Sequence, residues 1–149
     1  MNSTAAPPHD APIGTVELIT ALNELLEAER AGARVTRETA QQIPIHQDLH
    51  GLVVDIQHDE VKWCGMLMNV IRSLQATPTD VTGAFHGKAM AIADLTERLV
   101  FLNRGQAWVV RRLQALIPRV QDAAIQTELQ TMLDAHIGNI ERVERRLQA

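Results

Sequence analysis

Apolar residues recur every three to four positions along four stretches of the chain, the spacing that places them on one face of an α-helix. Pro44 follows the first stretch and Pro118 follows the third, and a residue before proline avoids helical backbone angles. A segment rich in threonine, proline and glycine separates the second stretch from the third. The pattern therefore predicts four helices, over about 13–42, 47–76, 85–117 and 122–147.

Four long helices joined by short loops predict an all-α, antiparallel four-helix bundle. The connection through residues 77–87 is the ambiguous one. A linker of about ten residues could close a slack hairpin, which gives up-down-up-down order. Stretched at about 3.3 Å per residue, the same linker could instead run the length of the bundle as a crossover. We expect residues 1–12 to form a flexible tail and residues 13–149 to form the single domain.

Each predicted helix carries one polar residue inside its apolar stripe: Glu29, Glu60, Gln106 and His136. Glu29 lies 15 residues before Pro44 and Glu60 lies 16 residues after it, so the first hairpin brings both to the same depth. Gln106 and His136 lie about 15 residues on either side of the turn near residue 122. We therefore expect the four side chains to meet in one layer near the middle of the bundle.

A polar layer of this composition allows two kinds of chemistry. Ionised carboxylates in an apolar interior are costly unless they are paired, protonated or bound to metal. Two carboxylates and one imidazole suit iron, manganese or zinc, so Glu29, Glu60 and His136 are candidate ligands of a divalent ion, with Gln106 beside them. The alternative is a metal-free layer in which His136 pairs with one glutamate, Gln106 donates to the other, and Arg98 supplies a charge partner.

Two other groups with ligand chemistry have simpler interpretations. Asp55 and His58 have the spacing of a carboxylate–histidine metal motif, but both are predicted to point away from the apolar stripe. We therefore interpret them as surface residues. Cys64, one turn from Glu60, is interpreted as a small core residue.

A second apolar stripe lies on the outer side of the third predicted helix and contains Met90, Phe101 and Trp108. A bundle helix that is apolar on two sides usually packs against something more. We expect either a homodimer interface on this face or cover from the central linker and the N-terminal tail. The homodimer is the favoured interpretation.

Composition excludes several classes of protein. The formal net charge of −4 gives no general attraction to nucleic acid, and no apolar run approaches the length of a membrane span. Because Cys64 is the only cysteine, no internal disulfide is possible and a reducing compartment is expected. The first residues lack the pattern of a secretory signal, so we expect a cytoplasmic protein. No nucleophile–base pair is apparent, and the sequence names no reaction.

Five segments carry a resemblance to a known family. They are LLEAERAGARV from Leu25, DEVKWC from Asp59, TGAFHGKAMAI from Thr82, ERLVFLNRGQAWVVRRL from Glu97 and MLDAHIGNI from Met132. Together they resemble a small bacterial family of ferritin-like (rubrerythrin-like) domains of unknown function, over nearly the whole chain after the tail. The resemblance implies a ferritin-like bundle and favours the crossover between the second and third helices.

The resemblance also bears on the ligand set. The ferritin-like pattern has Glu on the first helix, Glu-x-x-His on the second, Glu on the third and Glu-x-x-His on the fourth. Glu29, Glu60 and His136 match three of these six positions. Trp63 and Leu133 stand where the pattern has histidine and glutamate, and the third-helix position is Gln106 or an apolar residue.

A half-complete ligand set argues against a paired-iron oxidase or peroxidase centre, and more strongly against iron storage. What the resemblance implies is a bundle that holds at most one divalent metal ion, with a redox or stress-related role by analogy. The alternative is a non-catalytic bundle with a degenerate, metal-free layer, which acts as a dimer or as an interaction module.

Overall fold

The computed structural model describes residues 11–149, so the predicted flexible tail lies almost entirely outside the described residues. Five α-helices and one short 3₁₀ turn make up most of the described chain, and no strand occurs in it. The fold is all-α, as predicted. The elements are α1 (Thr15–Ala40), α2 (Asp48–Ser73), α3 (Phe85–Met90), α4 (Leu95–Leu116), the 3₁₀ turn (Ile117–Arg119) and α5 (Ala123–Gln148).

The long helices α1, α2, α4 and α5 form the bundle. Short loops join α1 to α2 and α4 to α5, so each of these pairs is an antiparallel hairpin. Helix α1 is also antiparallel to α4: the guanidinium of Arg119 bonds Glu17 at 2.9 Å at one end, and Arg98 bonds Thr39 at 3.2 Å at the other. None of the described helices combines the length and apolar character that a membrane span requires.

The linker between α2 and α4 runs along the outside of α1. The Thr79 backbone N–H donates to Asn23 at 2.8 Å and the Thr79 hydroxyl donates to Glu27 at 3.0 Å. Further along, His86 Nε2 lies 2.8 Å from a Glu38 carboxylate oxygen. The linker thus follows α1 from its first half to its last turns, which makes it a crossover and excludes the slack hairpin.

The crossover begins at the C-terminus of α2, which ends in a defined capping motif. Gln75 has a left-handed backbone, with φ of 62°. Its N–H donates to the Arg72 carbonyl at 2.9 Å, and the N–H of Ala76 donates to the Ile71 carbonyl at 3.2 Å. These bonds form a Schellman motif, in which the left-handed position is usually glycine. Gln75 therefore holds a conformation that is unfavourable for a residue with a side chain.

The prediction of one continuous third helix over 85–117 is wrong. Helix α3 ends at Met90, and α4 begins at Leu95. Asp94 adopts an extended conformation, and its carboxylate accepts a hydrogen bond from the Glu97 backbone N–H at 2.8 Å. This N-cap satisfies one of the backbone donors that the start of a helix leaves free. An aspartate followed three positions later by a glutamate is a helix-start signal that the sequence already contained.

The buried apolar core is divided into two clusters. One combines the first halves of α1 and α5 with the second halves of α2 and α4. The other combines the second half of α1 and the first halves of α2 and α4 with the end of α5. Each long helix places a buried polar residue between the two clusters, and α5 places a second one, Asn139, beside His136; the other three are Glu29, Glu60 and Gln106. The polar layer therefore crosses the bundle at mid-height.

Candidate metal centre

Three of the four predicted site residues converge in the core. Glu29 on α1, Glu60 on α2 and His136 on α5 each offer a ligand atom, and these atoms lie within 4.8 Å of one another. The residues are 1%, 4% and 2% exposed, respectively. Gln106 on α4 is buried as well and lines the same cavity. The helical periodicity thus placed these side chains in the correct layer.

His136 is oriented by its own helix. Its Nδ1 lies 2.9 Å from the Met132 backbone carbonyl one turn earlier, so Nδ1 carries the proton and donates. This leaves Nε2 directed at Glu29 Oε1, 2.7 Å away. Burial, the largest single influence, lowers the pKa of His136, but the Glu29 carboxylate, the Met132 carbonyl and Asp59 together raise it above its ordinary value. A positive charge at Nε2, carried by either a proton or a metal ion, is therefore favoured by these neighbouring groups.

The Glu29 carboxylate has one close polar neighbour, His136. Its Nε2 atom lies 2.7 Å from Glu29 Oε1, but neither carboxylate oxygen accepts a well-directed hydrogen bond from the described residues. The side-chain nitrogen and oxygen of Gln106 are equally without partners. Buried polar groups in native proteins are almost always satisfied, so a cluster of orphaned atoms indicates that a ligand belongs there.

Gly32 makes room for the Glu60 carboxylate. A Cβ atom added at Gly32 would lie 3.0 Å from both Cδ and Oε1 of Glu60. The absence of a side chain on α1 therefore allows Glu60 to rest against the α1 backbone, one turn from Glu29. Glycine lowers the stability of a helix interior, and the approach of Glu60 explains why a glycine is nevertheless present at position 32.

The neighbouring pair Asp59 and Asn139 was not anticipated from the sequence. The Asn139 amide donates to the Asp59 carboxylate at 2.9 Å, which ties α2 to α5 beside the layer. Asn139 is buried. Its position three residues after His136 is the only signal for it, and three-residue spacing alone does not separate a core position from the edge of the stripe.

Other candidates lie apart from the layer. Asp55 and His58 are exposed, as predicted, and Asp55 pairs with Arg142 on α5 at 2.9 Å. Arg98 is not the charge partner of the glutamates, since its guanidinium donates to Thr39 and to Gln42, near the end of α1. Because Arg98 belongs to the first turn of α4, it lies two turns from the layer.

The residues at the unmatched positions of the ferritin-like pattern are apolar core. Trp63 and Leu133 are both buried in the cluster that contains the first half of α1. Cys64 is buried too, and burial, followed by the negative charge of Glu29, raises the pKa of its thiol to about 12. A thiol with that pKa stays protonated near neutral pH, which agrees with a core role rather than a ligand role.

A cavity of about 640 Å³ opens onto the layer from the side of α1 and α4. Its inner end reaches Glu29, Glu60, Gln106 and His136. The crossover forms part of the wall through Phe85. The layer is therefore accessible from one side of the bundle.

The outer apolar stripe of the third predicted helix is partly covered by the chain itself. The Phe85 ring stacks on Phe101, with ring centroids 4.9 Å apart and an interplanar angle of 7°. Met90 and Trp108 are half-buried, and the guanidinium of Arg112 lies over the Trp108 ring. The crossover thus supplies the cover that was one of the two expectations for Phe101. The homodimer stays a prediction.

The comparison with solved structures gives one match. A structure described as ferritin like, diiron-carboxylate proteins from Bacillus anthracis str. Ames is similar to this chain, with a TM-score of 0.78 and 21% sequence identity. The match covers 95% of this chain and 99% of that one. At this identity the likeness establishes the fold, which is ferritin-like as expected.

The comparison with sequence families gives one match as well. No curated protein matches the chain. The profile of a domain of unknown function, DUF6306, matches residues 16–145, which include all five helices except the ends of α1 and α5. This chain belongs to the DUF6306 family.

Proposed function

We propose that this protein binds one divalent metal ion, iron, manganese or zinc, in the core of the bundle. Glu29, Glu60 and His136 are the proposed ligands, and Gln106 is an additional donor. The observation that carries the proposal is the Glu29 carboxylate, which is 1% exposed and has no close polar partner among the described residues except the His136 ring, 2.7 Å from Oε1. A buried carboxylate with so few partners is unfavourable, and a metal ion removes that penalty.

Charge balance favours one ion rather than two. Two glutamates and a neutral imidazole contribute two negative charges, which a single divalent ion neutralises. A second divalent ion would leave two positive charges in an apolar interior, because Gln106, Trp63 and Leu133 contribute no negative charge. We therefore expect one ion in this layer, where a diiron-carboxylate centre holds two.

The donor set suits iron, manganese and zinc, all of which accept carboxylate and imidazole ligands. When bound, iron or manganese would supply redox chemistry and zinc would supply Lewis-acid chemistry. The protein residues hold the ion and orient it: Met132 fixes the ring of His136, and Gly32 lets Glu60 approach. By analogy with the ferritin-like, diiron-carboxylate structure, we propose a redox role in preference to a hydrolytic one.

The test is the metal content of untagged protein that has been purified without chelator, measured by elemental mass spectrometry. We expect close to one iron, manganese or zinc ion per chain. Glu60→Gln should lose the metal, while Glu144→Gln, which removes the same charge from an exposed site on α5, should keep it. If wild-type protein stays metal-free after anaerobic loading with ferrous, manganous and zinc ions, the proposal is wrong.

Thermal unfolding gives an independent measurement. A ligand present at 100 times its dissociation constant stabilises the folded state by about 2.7 kcal/mol. We expect this gain for wild type and for Glu144→Gln, and its loss in Glu60→Gln. Protein without a metal-dependent gain would instead support the alternative, a bundle with a metal-free layer. That alternative includes a homodimer through Met90, Phe101 and Trp108. A monomeric mass in light scattering would disprove the homodimer.

A further inference from the structure

The cavity beside the polar layer has the size of a small-molecule site. Its volume of about 640 Å³ lies within the range of roughly 300–1,000 Å³ that is typical of ligand pockets. On α1 its lining extends from Glu24 to Gly32. Eight residues of helix rise correspond to about 12 Å, which is room for a molecule larger than oxygen or peroxide.

The walls of the cavity are mainly apolar and aromatic. Phe85, Phe101 and Trp108 lie on its outer part, and Leu102 and Val109 lie deeper. Aromatic walls favour a flat apolar ligand, because stacked and edge-to-face ring contacts add to the free energy of burial. The body of the ligand is therefore expected to be aromatic.

Gly105 shapes the same wall. A Cβ atom added at Gly105 would lie 2.7 Å from the Phe85 ring, so the crossover packs directly on the α4 backbone there. The Phe85 ring also stacks on the Phe101 ring of α4. This end of the cavity is thus a fixed aromatic surface that the crossover brings to α4.

The rim of the cavity carries an excess of positive charge. Arg104, Arg111 and Arg112 line it from α4, and within residues 11–149 none of the three forms an ion pair or a hydrogen bond. The α1 side contributes Glu24 and Glu27, and the Glu27 carboxylate already accepts a hydrogen bond from Thr79. The guanidinium of Arg112 lies over the Trp108 ring, whereas those of Arg104 and Arg111 have no partner among the described residues. Guanidinium groups placed in this way at the rim are suited to one carboxylate of a ligand.

The inner end of the cavity is different in charge. With one divalent ion bound, Glu29, Glu60 and the ion are neutral together, so this end has no excess charge to attract an anion. Gln106, whose amide has no hydrogen-bond partner among the described residues, offers only a neutral donor and acceptor there. An anionic ligand is therefore expected to place its charge at the rim and its apolar end toward the layer.

We propose that this cavity binds an aromatic monocarboxylate, whose ring lies against the aromatic wall and whose carboxylate meets the arginines at the rim. The ring would then be the part of the ligand nearest to the metal layer. The orientation of this ligand and its role as a substrate rest on the proposed metal function, whereas the attraction of its carboxylate to the arginines at the rim does not.

The test is isothermal titration of the full-length protein with 2-naphthoate and with its uncharged counterpart 2-naphthamide. We expect saturable binding of one naphthoate per chain, and binding of naphthamide that is about five- to tenfold weaker. Arg111→Gln should weaken naphthoate binding by a similar factor. Arg145→Gln, which removes the same charge from an exposed site on α5, should leave it unchanged.

A second variant tests the location. Ala28 lines the cavity from α1 and is half-buried, so Ala28→Phe should fill the space and abolish naphthoate binding. Circular dichroism and thermal unfolding will show whether that variant is folded, and Arg111→Gln decides the outcome if it is not.

Three results would overturn the proposal. They are no saturable naphthoate binding at millimolar concentration, equal binding of naphthoate and naphthamide, and equal effects of Arg111→Gln and Arg145→Gln. Metal content measured on the same protein separates this proposal from the metal function, since protein that holds metal and binds no naphthoate would refute only this proposal. A wild-type protein without metal that binds naphthoate would refute only the metal function.

Discussion

Replacing Gly32 by alanine should weaken metal binding without unfolding the bundle. The added Cβ would lie 3.0 Å from Cδ and Oε1 of Glu60 and 3.2 Å from Oε2. Carbon atoms pack best at about 3.5–4.0 Å, so the carboxylate must withdraw by about 0.5 Å. Metal–ligand distances tolerate deviations of only about 0.2 Å. The withdrawal exceeds this tolerance, so an ion bound as proposed would lose part of its bond to Glu60.

The size of the effect follows from two opposing contributions. Alanine is favoured over glycine in a helix interior by about 1 kcal/mol, which stabilises the metal-free protein. Disturbing the position of a ligand typically weakens metal affinity by about 10–100-fold. If wild type is measured at 100 times its dissociation constant, a tenfold loss lowers the stabilisation by metal from about 2.7 to about 1.4 kcal/mol.

The assay is thermal unfolding of metal-free and metal-loaded protein, together with direct titration of the metal. Gly65→Ala is the matched control, because Gly65 lies within α2 and an added Cβ there meets no atom within 4 Å. For a chain of this length, 1 kcal/mol corresponds to about 2–4 °C in Tm. We expect Gly65→Ala to raise Tm by that amount with unchanged metal affinity. Gly32→Ala should bind metal more weakly, and in the metal-loaded state it should show no net gain in Tm, because the lost metal stabilisation of about 1.3 kcal/mol offsets the gain from alanine of about 1 kcal/mol.

If Gly32→Ala binds metal as tightly as wild type and gains as much stability as Gly65→Ala, then the Glu60 carboxylate either does not rest against α1 or is not a ligand. Weaker metal binding in both variants would point to a general effect of stiffer helices.

Three further predictions concern the stability of two helix ends and the reactivity of the thiol. Gln75→Gly should stabilise the protein by about 1 kcal/mol in chemical denaturation, because glycine adopts the left-handed conformation at the end of α2 without strain; an unchanged midpoint would contradict the strain. Asp122→Ala should destabilise by about 1 kcal/mol in the same assay, since the Asp122 carboxylate accepts hydrogen bonds from the backbone N–H groups of Ala124 and Ile125; no loss would mean that water caps α5 equally well. Cys64 should resist thiol reagents at pH 8 in the folded protein and react fully in denaturant, because its thiol is buried with a pKa raised to about 12; rapid reaction of folded protein would show that this part of the core opens readily.

The helices themselves follow closely from the sequence. The observed ends of α1, α2 and α5 differ from the predicted ones by no more than three residues. Prolines and helical periodicity carry this information, because both act through local backbone geometry. The break between α3 and α4 is equally local, and Asp94 with Glu97 marks it. It was missed because the apolar pattern continues across the break.

The polar layer could be predicted because depth along a helix depends only on residue count. A rise of about 1.5 Å per residue places Glu29 and Glu60 at one height on either side of a short loop. Arg98 was misplaced for the opposite reason. Its position at the edge of the stripe does not reveal that its long side chain reaches toward Thr39 and Gln42, away from the layer. Long side chains cover several possible partners, and packing decides among them.

The sequence does not show which of the helix glycines are closely approached by another part of the chain. Those at 32, 51, 65, 105 and 138 all lie within the bundle helices, and close packing could have been the reason for any of them. In the structure only Gly32 and Gly105 are approached by another side chain. The approaching groups, Glu60 and Phe85, come from α2 and from the crossover. Spacing between helices depends on the whole core, and no local pattern encodes it.

The unmatched ligand positions and the cavity can be explained together. Trp63 and Leu133 replace possible ligands on α2 and α5 with apolar bulk, and neither lines the cavity. Gln106, on α4, does line it. Glu29, Glu60 and His136, the residues that would hold an ion, are therefore closed off by packing on the α2 and α5 side and are reached by the cavity from the α1 and α4 side. The apolar residues at positions 63 and 133 would then leave the proposed metal site able to react, but only with a molecule that enters through the cavity.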